Sequence, residues 1–345
     1  MPENFVHTSY PSRVVFGAGS LEQVAAEIEL LGVRRALLIA TGSAHQAANV
    51  VEAALKERFA GRIDGVRQHV PTEVAEAART KAREVEADGV VAIGGGSAIG
   101  LAKAIALTAD VQILAVPTTY AGSEMTPVWG ETSGGSKTTG TDLRVLPKTV
   151  VYDAELTLQL PLNVTAASVA NALAHCVEAV WTEKANPITE TTAVEAARAL
   201  ADGLLKVLRE PTDADARGEL LFGACLAGTA LASAGTGIHH KLCHLLGGTY
   251  NLPHAETHAA VLPQVARAKA PEVPQAKRRL EEALHTDDLA TGLFELFEAA
   301  KVPTSLQTLG LTREQAKEAA ERFPGDVDDI LTRAWAGTRP EGAPR

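Results

Sequence analysis

The sequence predicts an α/β domain with a parallel sheet, followed by a domain built only of helices. Up to about residue 153, short apolar runs of strand length alternate with helical stretches, which is typical of a parallel sheet covered by helices. From residue 165 onward, Ala, Leu, Glu and Arg recur with helical spacing and strand patterns disappear. A length of 345 residues exceeds what one hydrophobic core usually spans. We therefore predict two domains, 1–153 and 154–345.

The elements of the first domain follow from apolar runs that end in Gly, Thr or Pro. Arg35–Ala40 predicts a strand that ends in the loop Thr41-Gly42-Ser43. A helical pattern then continues to about Phe59, and Pro71 opens another that continues to about Ala87. The later elements are a strand at Gly89–Ile93, a helix at Ala98–Thr108, strands at Val111–Val116 and Thr149–Tyr152, and a loop or hairpin at 130–140.

Charge and cysteine content exclude several classes of protein. The formal net charge is −10, which argues against a nucleic-acid binder because such proteins need a basic face. The cysteines, Cys176, Cys225 and Cys243, form no CxxC pair and predict reduced thiols. The N-terminus has no apolar signal-peptide core, and no apolar run has the length of a membrane span. We expect a cytoplasmic protein that binds neither nucleic acid nor membranes.

A glycine-rich loop, Gly94-Gly95-Gly96-Ser97, separates a predicted buried strand from a predicted helix. A dinucleotide pyrophosphate binds at such a place, because backbone N–H groups point outward at the helix N-terminus and no side chain blocks the approach. A simple connecting turn is the alternative, but three adjacent glycines carry an entropic cost that a connecting turn leaves unexplained. The loop therefore predicts a dinucleotide-binding first domain.

The loop after the first predicted strand bears on cofactor choice. NAD-selective enzymes usually place a carboxylate there to bind the ribose 2′-hydroxyl. Thr41-Gly42-Ser43 carries no acid, so a 2′-phosphate would meet no repulsion. We predict that both NADH and NADPH are accepted, with Thr41 among the cofactor-binding residues.

Histidines are concentrated in the second domain. His239, His240, His244 and His254 lie within sixteen residues, and His258 follows. Because His240 and His244 are four residues apart, they share one face of a helix. We expect the pair Gly247-Gly248 to form a turn that brings His254 back toward them.

A second pair of polar residues, Asn171 and His175, is also four apart, on an Ala-rich helix. The opposite face of that helix is apolar. Together with the histidines and Lys241, these residues could bind a divalent metal, or donate hydrogen bonds and positive charge to a carboxylated substrate. The structural alternative is that these histidines lie on the surface, or lie in the core with their hydrogen bonds satisfied within the protein. The number of histidines in this arrangement disfavours it.

These motifs resemble the iron-containing alcohol dehydrogenase family, over almost the whole chain. The matching segments are Phe16-Gly17, GGGS at 94–97, PTT at 117–119, GSEMT at 122–126 and the histidine block. The resemblance implies a dehydroquinate synthase-like fold, with a dinucleotide-binding α/β domain, an all-helical domain and a site between them. Asn171 and His175 occupy the family's Asp-x₃-His position. His240 and His254 match its later metal histidines, and His244 matches a histidine beside the nicotinamide.

Segments 117–130, 144–161 and 237–258 are closest to one subgroup, the maleylacetate reductases. This resemblance implies NAD(P)H-dependent reduction of the conjugated double bond of maleylacetate to 3-oxoadipate, in the breakdown of aromatic compounds, by a homodimer. Lys137 matches a family lysine near the cofactor, and Thr118 and Thr119 should line the cofactor cleft. Without the resemblance, the three would be ordinary loop and turn residues.

The resemblance also implies roles for the second-domain residues. His244 should donate a hydrogen bond or a proton beside the nicotinamide. The dicarboxylate substrate requires positive or donor groups, which His175, His240, His254 and Lys241 would supply, with Asn171 as a neutral hydrogen-bond partner. Stabilisation of the developing enolate by such donors would replace a metal Lewis acid.

Two departures from the wider family concern the metal. Asn171 replaces an anionic Asp ligand, and Gly100 stands where the family usually has Asp. Since a neutral amide is a poor ligand for Fe²⁺ or Zn²⁺, we expect no obligatory metal; His175, His240 and His254 would hold one if it bound.

Three other functions remain open from the sequence. They are a metal-dependent alcohol dehydrogenase, a lyase like dehydroquinate synthase that recycles bound NAD⁺, and a non-catalytic nucleotide binder. Relatives with the same loops could also reduce other unsaturated or oxo dicarboxylates.

Overall fold

The computed structural model describes residues 4–68, 70–133 and 136–340, without the side chains at 136 and 137. The chain divides into two compact units. The α/β unit comprises Tyr10–Leu160 and Thr212–Leu221. The helical unit comprises the residues before Tyr10, the segment Pro161–Pro211 and the residues from Phe222 onward. A boundary at residue 153 stays a prediction.

The α/β unit is built on a six-stranded parallel sheet with the strand order β1-β8-β5-β4-β2-β3. The strands of this sheet are β1 Arg13–Phe16, β2 Ala36–Ala40, β3 Phe59–Ile63, β4 Gly89–Gly94, β5 Gln112–Pro117 and β8 Thr149–Tyr152. A separate antiparallel hairpin consists of β6 Val128–Ser133 and β7 Ser136–Thr141. The α-helices are α1 Val24–Leu30, α2 His45–Leu55, α3 Thr72–Glu84 and α4 Gly96–Ala106.

The central strands are apolar and buried along their whole length. Every residue of β2 and β4 is buried, and Leu38 and Val91 share a core with Val24 and Ile28 of α1. Continuous apolar strands are typical of parallel sheets that are covered on both faces. The predicted fold class, a parallel α/β domain followed by helices, is confirmed.

The sequence pattern did not predict β3, and it extended the preceding helix to about Phe59. α2 ends at Leu55, and Lys56 has a left-handed φ of 51° that breaks the helical path. Phe59–Ile63 then pairs with β2 as the outer strand. Its residues are only half-buried and include Gly61 and Arg62, so the segment lacks the apolar run that marked the central strands.

The helical unit is arranged around one buried helix. Its helices are α5 Leu162–Ala179, α6 Pro187–Arg209, α8 Ile238–Tyr250, α9 His254–Lys269, α10 Pro274–Ala283, α11 Leu289–Ala299, α12 Arg313–Arg322 and α13 Asp328–Ala336, with the later part of α7 Ala214–Ala234. Every residue of α5 from Thr165 to Ala179 is buried, and α5 packs on α6 and α9. Ala is frequent in α5, which lets the neighbouring helices approach closely.

Within the described residues, no single helix has both the length and the apolar character needed to cross a membrane. The consecutive helices α7 and α8 reach the threshold as a pair, by length and composition only, with an angle of 101° between them.

Candidate active site

The glycine loop follows β4 directly, and its backbone is approached closely by two threonines. A Cβ atom on Gly94 would lie 2.7 Å from Cγ2 of Thr41, and one on Gly95 would lie 2.9 Å from Cγ2 of Thr119. Gly94 also has a φ of 152°, which L side chains rarely adopt. Glycine is therefore required at both positions, because the loops that follow β2 and β5 contact the backbone itself.

This loop lies where the strand order of the sheet reverses. The chain leaves β2 toward β3 on one side and leaves β4 toward β5 on the other, and ligands of such sheets bind at this reversal, beyond the carboxyl ends of the strands. The N–H of Thr41 donates to Ile93 O (3.2 Å), and the N–H of Thr118 donates to Gly94 O (3.0 Å). The sheet thus holds the three loops together.

The loop has the properties of a phosphate site. Gly96 is exposed at the N-terminus of α4, where backbone N–H groups and the helix dipole favour an anion. The structure brings the predicted cofactor residues to this edge of the sheet: Thr41, Gly94, Gly95, Gly96, Ser97, Thr118 and Thr119. The arrangement fits a dinucleotide pyrophosphate. The side chain of Lys137, the remaining predicted residue, lies outside the described residues.

A buried lysine holds the GSEMT segment against the helix that starts at the glycine loop. Nζ of Lys103, on α4, donates to Ser123 O (2.7 Å), Thr126 O (2.8 Å), Thr126 Oγ1 (3.1 Å) and Val128 O (2.8 Å). Burial lowers the pKa of Lys103 to about 7, while the charge of Glu124 acts to raise it. Four oxygen acceptors favour the ammonium form, whose three protons they can share.

Glu124 is a fully buried carboxyl group in the same segment. Its Oε1 accepts a hydrogen bond from Tyr152 Oη (2.8 Å), and its Oε2 has no partner among the described residues. Burial raises the pKa of Glu124 to about 6, against the hydrogen bonds it accepts and the charge of Lys103. The folded protein therefore holds a proton on Glu124 more tightly than the unfolded chain does.

This shift predicts that Glu124→Gln becomes more stabilising as the pH rises. Below the ordinary pKa of 4.5, Glu124 is protonated in both the folded and the unfolded wild type. As the pH rises from 4.5 through 6, the unfolded chain releases this proton more easily than the folded protein does, so the wild type loses stability. The wild type should lose about 2 kcal/mol relative to Glu124→Gln between pH 4 and pH 7. Urea unfolding of both proteins across this range measures the difference, and parallel pH curves would contradict the prediction.

The second group of candidate residues lies wholly within the helical unit. Asn171 and His175 on α5, His239 and His240 on α8 and His258 on α9 are buried. His244 and His254 are half-buried, and Lys241 is exposed.

The central contacts of this group form a continuous chain of hydrogen-bonding atoms. Nδ1 of His240 lies 2.5 Å from Oε2 of Glu178, and Nε2 of His240 lies 2.8 Å from Nδ1 of His175. Nε2 of His175 in turn lies 3.5 Å from Nδ2 of Asn171. The rings of His175 and His240 are stacked, with centroids 4.8 Å apart.

A second imidazole pair packs behind this chain. Nε2 of His239 lies 2.8 Å from Nδ1 of His258, and the ring centroid of His258 is 4.6 Å from that of His254 and 4.8 Å from that of His240. Burial lowers the pKa of His239 to about 3 and that of His258 well below its ordinary value. Both are therefore neutral at physiological pH.

His244 and His254 are brought together by a turn that the sequence analysis placed wrongly. Gly247-Gly248 lies inside α8 and forms no turn. The reversal occurs at Asn251, which caps α8 with a left-handed φ of 53°, a conformation that Asn tolerates better than most residues. α9 then begins at His254, and the two rings stack with centroids 6.1 Å apart.

Glu178 is a site residue that the sequence analysis missed. It lies on α5 at the third of the positions 171, 175 and 178, which recur at four and then three residues and share one helix face. Burial acts to raise the pKa of Glu178, but its electrostatic interaction and hydrogen bond with His240 hold it well below its ordinary value. The spacing could have indicated Glu178, had the polar face been extended by one turn.

Comparison with known proteins identifies the family. Residues 11–154 match the profile described as "Iron-containing alcohol dehydrogenase", and residues 165–328 match that of the "Fe-containing alcohol dehydrogenase family, C-terminal". The chain belongs to the iron-containing alcohol dehydrogenase family. It is therefore an oxidoreductase, as the resemblance implied, and it shares the two-part fold of this family.

Several members of the family resemble the chain over nearly its full length. Maleylacetate reductase 1 of Rhodococcus opacus is 46% identical and covers 97% of this chain and 98% of its own length. Maleylacetate reductase of Sphingobium indicum is 48% identical, and the match covers 92% of this chain and 90% of that protein. The crystal structure of maleylacetate reductase from Agrobacterium tumefaciens has a TM-score of 0.93 at 40% identity and covers 98% and 100%.

The family is named for iron, but the donor atoms of this chain do not fit that ion. Asn171 offers a neutral amide in place of the family's carboxylate, and Nδ1 of His175 and Nε2 of His240 bond to each other at 2.8 Å. Removal of an anionic ligand weakens binding of a divalent cation. Two of the three predicted metal residues, His175 and His240, are thus hydrogen-bonded to each other.

The described residues contain one other group whose three ligand atoms lie within 4.8 Å of one another, namely His239, Cys243 and His258. Its two imidazole nitrogens are 2.8 Å apart, which is shorter than the roughly 3.3 Å between two nitrogen ligands of a tetrahedral zinc ion. This group is a hydrogen-bonded core.

Proposed function

We propose that the chain reduces maleylacetate to 3-oxoadipate with NADH or NADPH. The observation that carries this proposal is identity of 46–48% to two maleylacetate reductases over more than nine-tenths of the chain. The histidine group supports it, because a dicarboxylate requires donors, and these residues offer several around a neutral Asn171. The glycine loop supports a dinucleotide cofactor.

When bound, the reduced nicotinamide would supply a hydride to one carbon of the conjugated double bond of the substrate, and a proton from a donor group or from water would complete the reduction at the adjacent carbon. Because that bond is conjugated to a carbonyl group, negative charge develops on the substrate as an enolate. We assign stabilisation of this charge to His244 and Lys241, since preorganised donors lower such a barrier most effectively. His244 is half-buried and Lys241 is exposed, so a substrate can reach both.

The two substrate carboxylates need partners that do not repel them. We assign them to His254 and to the remaining N–H of Asn171, while His175 and His240, whose ring nitrogens contact Asn171, Glu178 and each other, hold Asn171 in place. A carboxylate at position 171 would repel the substrate directly, whereas an amide can donate to it.

A reductase assay tests the proposed function. The purified protein should oxidise NADH and NADPH in the presence of maleylacetate, and much more slowly with a panel of other oxo acids and aldehydes. Oxidation of a primary alcohol with NAD⁺ and added metal would favour an alcohol dehydrogenase instead. Preference for another unsaturated or oxo dicarboxylate would keep the chemistry and change the substrate.

Removal of metal should leave the activity intact. Protein dialysed against EDTA and shown by elemental analysis to be free of transition metals should retain its full kcat with maleylacetate, because the donors proposed above replace the Lewis acid. Loss of activity that only Fe²⁺ or Zn²⁺ restores would refute this prediction.

Gly42→Asp should separate the two cofactors. A Cβ on Gly42 has no atom within 4 Å, so the new carboxylate fits and can bind a ribose 2′-hydroxyl. It repels a 2′-phosphate, and kcat/KM for NADPH should fall about 10-fold or more, with little change for NADH. Gly42→Asn is the matched neutral control. Equal loss with both cofactors would show that position 42 does not approach the ribose.

We also propose a homodimer in the cytoplasm. Cys176, Cys225 and Cys243 form no disulfide among the described residues, which suits a reducing compartment. Light scattering after size-exclusion chromatography measures the oligomeric state.

A further inference from the structure

Glu178 contacts two features of the helical unit, the first turn of α8 and the imidazole of His240. Its Oε1 accepts a hydrogen bond from the backbone N–H of His239 (2.6 Å), at the start of α8. Its Oε2 lies 2.5 Å from Nδ1 of His240 on the same helix. The side chain is only 1% exposed, so water does not compete for either contact.

The first contact caps α8 from another helix. The N-cap residue of α8 is Gly237, which has no side chain to accept from the free N–H groups of the first turn. A Cβ at Gly237 would lie 2.9 Å from Oε1 of Glu178, so glycine is what lets the carboxylate approach. Negative charge at a helix N-terminus is also favoured by the helix dipole.

The second contact determines which nitrogen of His240 carries a proton. An ionised carboxylate only accepts hydrogen bonds, so Nδ1 of His240 must be the donor. In a neutral imidazole Nε2 is then an acceptor, and Nδ1 of His175 must donate to it across 2.8 Å. Nε2 of His175 is left as an acceptor.

Asn171 completes the sequence. Its Nδ2 donates to Nε2 of His175 at 3.5 Å, which leaves Oδ1 of Asn171 as a buried acceptor without a partner among the described residues. Each hydrogen bond therefore points toward Glu178, and the last donor is the amide. Aspartate could not take this place, because it would set two acceptors against each other.

We propose that Glu178 is a positioning residue that fixes the tautomers of His240 and His175, and so gives the chain Glu178–His240–His175–Asn171 a single direction. Its effect on catalysis rests on the proposed function, in which Asn171 binds the substrate and the two histidines orient it.

Glu178→Gln tests the proposal because the change reverses the chain without removing it. The amide oxygen must face the N–H of His239, so its NH₂ group is directed at Nδ1 of His240. His240 then donates through Nε2, His175 also donates through Nε2, and Asn171 accepts after rotation of its amide. Each hydrogen bond between positions 178, 240, 175 and 171 can still form, but the donor and the acceptor of each bond are exchanged.

The readout is the protonated nitrogen of each histidine, from long-range ¹H–¹⁵N correlation spectra of the ¹⁵N-histidine-labelled full chain. The signals of each imidazole are assigned by substitution: those of His240 are absent in His240→Gln, and those of His175 are absent in His175→Gln. We expect Nδ1–H for both residues in the wild type and Nε2–H for both in Glu178→Gln. Glu183→Gln is the matched control, since Glu183 is an exposed carboxylate just beyond α5, and it should leave both tautomers unchanged.

Activity provides the second readout. Glu178→Gln should lower kcat with maleylacetate about 100-fold, as loss of an orienting carboxylate behind a histidine does elsewhere, with KM for NADPH unchanged. Nε2–H or a doubly protonated ring at His240 in the wild type would overturn the proposal, even if Glu178→Gln fails to fold. Unchanged tautomers in a folded Glu178→Gln would also overturn it. If the wild type does not reduce maleylacetate, the proposed function fails while the tautomer measurement still decides the role of Glu178.

Discussion

His244→Ala should lower kcat for maleylacetate reduction by about 100-fold or more, and Lys241→Ala should have an effect of the same size. A positioned acid or electrostatic donor contributes roughly this factor to a reaction in which charge develops on the substrate. His244 is half-buried beside His240 and His254, so its removal takes away a donor that water cannot replace in the same orientation. Steady-state kinetics with NADPH and maleylacetate measure the loss.

Two replacements at exposed positions provide controls for these variants. His285→Ala removes an exposed histidine that contacts Asp202, and Lys317→Ala removes an exposed lysine of α12. Both should retain the kcat of the wild type. Turnover within a few-fold of the wild type in His244→Ala or Lys241→Ala would remove that residue from the proposed mechanism.

Lys103→Met should destabilise the α/β unit by about 3–5 kcal/mol. The change keeps the length of the side chain but removes the ammonium that serves four oxygen atoms. The carbonyl groups of Thr126 and Val128 then lose this buried donor, whereas Ser123 O keeps its hydrogen bonds from Thr126. Each unsatisfied group costs about 1–3 kcal/mol. Hydrogen exchange in peptides from α4 and β4 measures this loss within the α/β unit.

Lys56→Met is the matched control for this prediction, because Lys56 is exposed and the chemical change is identical. It should leave exchange in α4 and β4 unchanged. A loss below about 1 kcal/mol in Lys103→Met would mean that water reaches the carbonyl groups of Thr126 and Val128. Because Lys103 holds the segment next to the glycine loop, KM for NADPH should rise as well.

Local patterns were sufficient to predict the fold class and the central strands. β2, β4 and β5 are continuous apolar runs bounded by Gly, Thr or Pro, and a parallel sheet is the arrangement that buries such runs on both faces. β3 could not be recognised in this way, because Phe59–Ile63 is a half-buried outer strand. It lies at the edge of the sheet and pairs with β2, so its conformation depends on a tertiary contact that the local sequence does not encode.

The candidate site was predictable in its residues but not in its connections. Spacing alone placed Asn171 with His175 and His240 with His244. Glu178 lies on an Ala-rich helix, where the sequence pattern of a single carboxylate is that of a surface residue. Its role depends on a tertiary contact with the start of α8, where the N–H of His239, 61 residues later, donates to it. The turn before His254 was assigned to Gly247-Gly248 because glycine pairs usually mark turns. In the structure α8 continues through both glycines, and Asn251 adopts the left-handed conformation in the short connection between α8 and α9.

The direction of the hydrogen-bond chain also constrains the order in which mutations can accumulate. Asn171→Asp alone would face an acceptor on His175, and Glu178→Gln alone would reverse both imidazoles. Asn171→Asp therefore costs a hydrogen bond while Glu178 is unchanged, and Glu178→Gln would remove that conflict, which is epistasis between residues two helical turns apart. Libraries that vary positions 171, 175, 178 and 240 jointly should therefore recover active variants that one-at-a-time scanning misses.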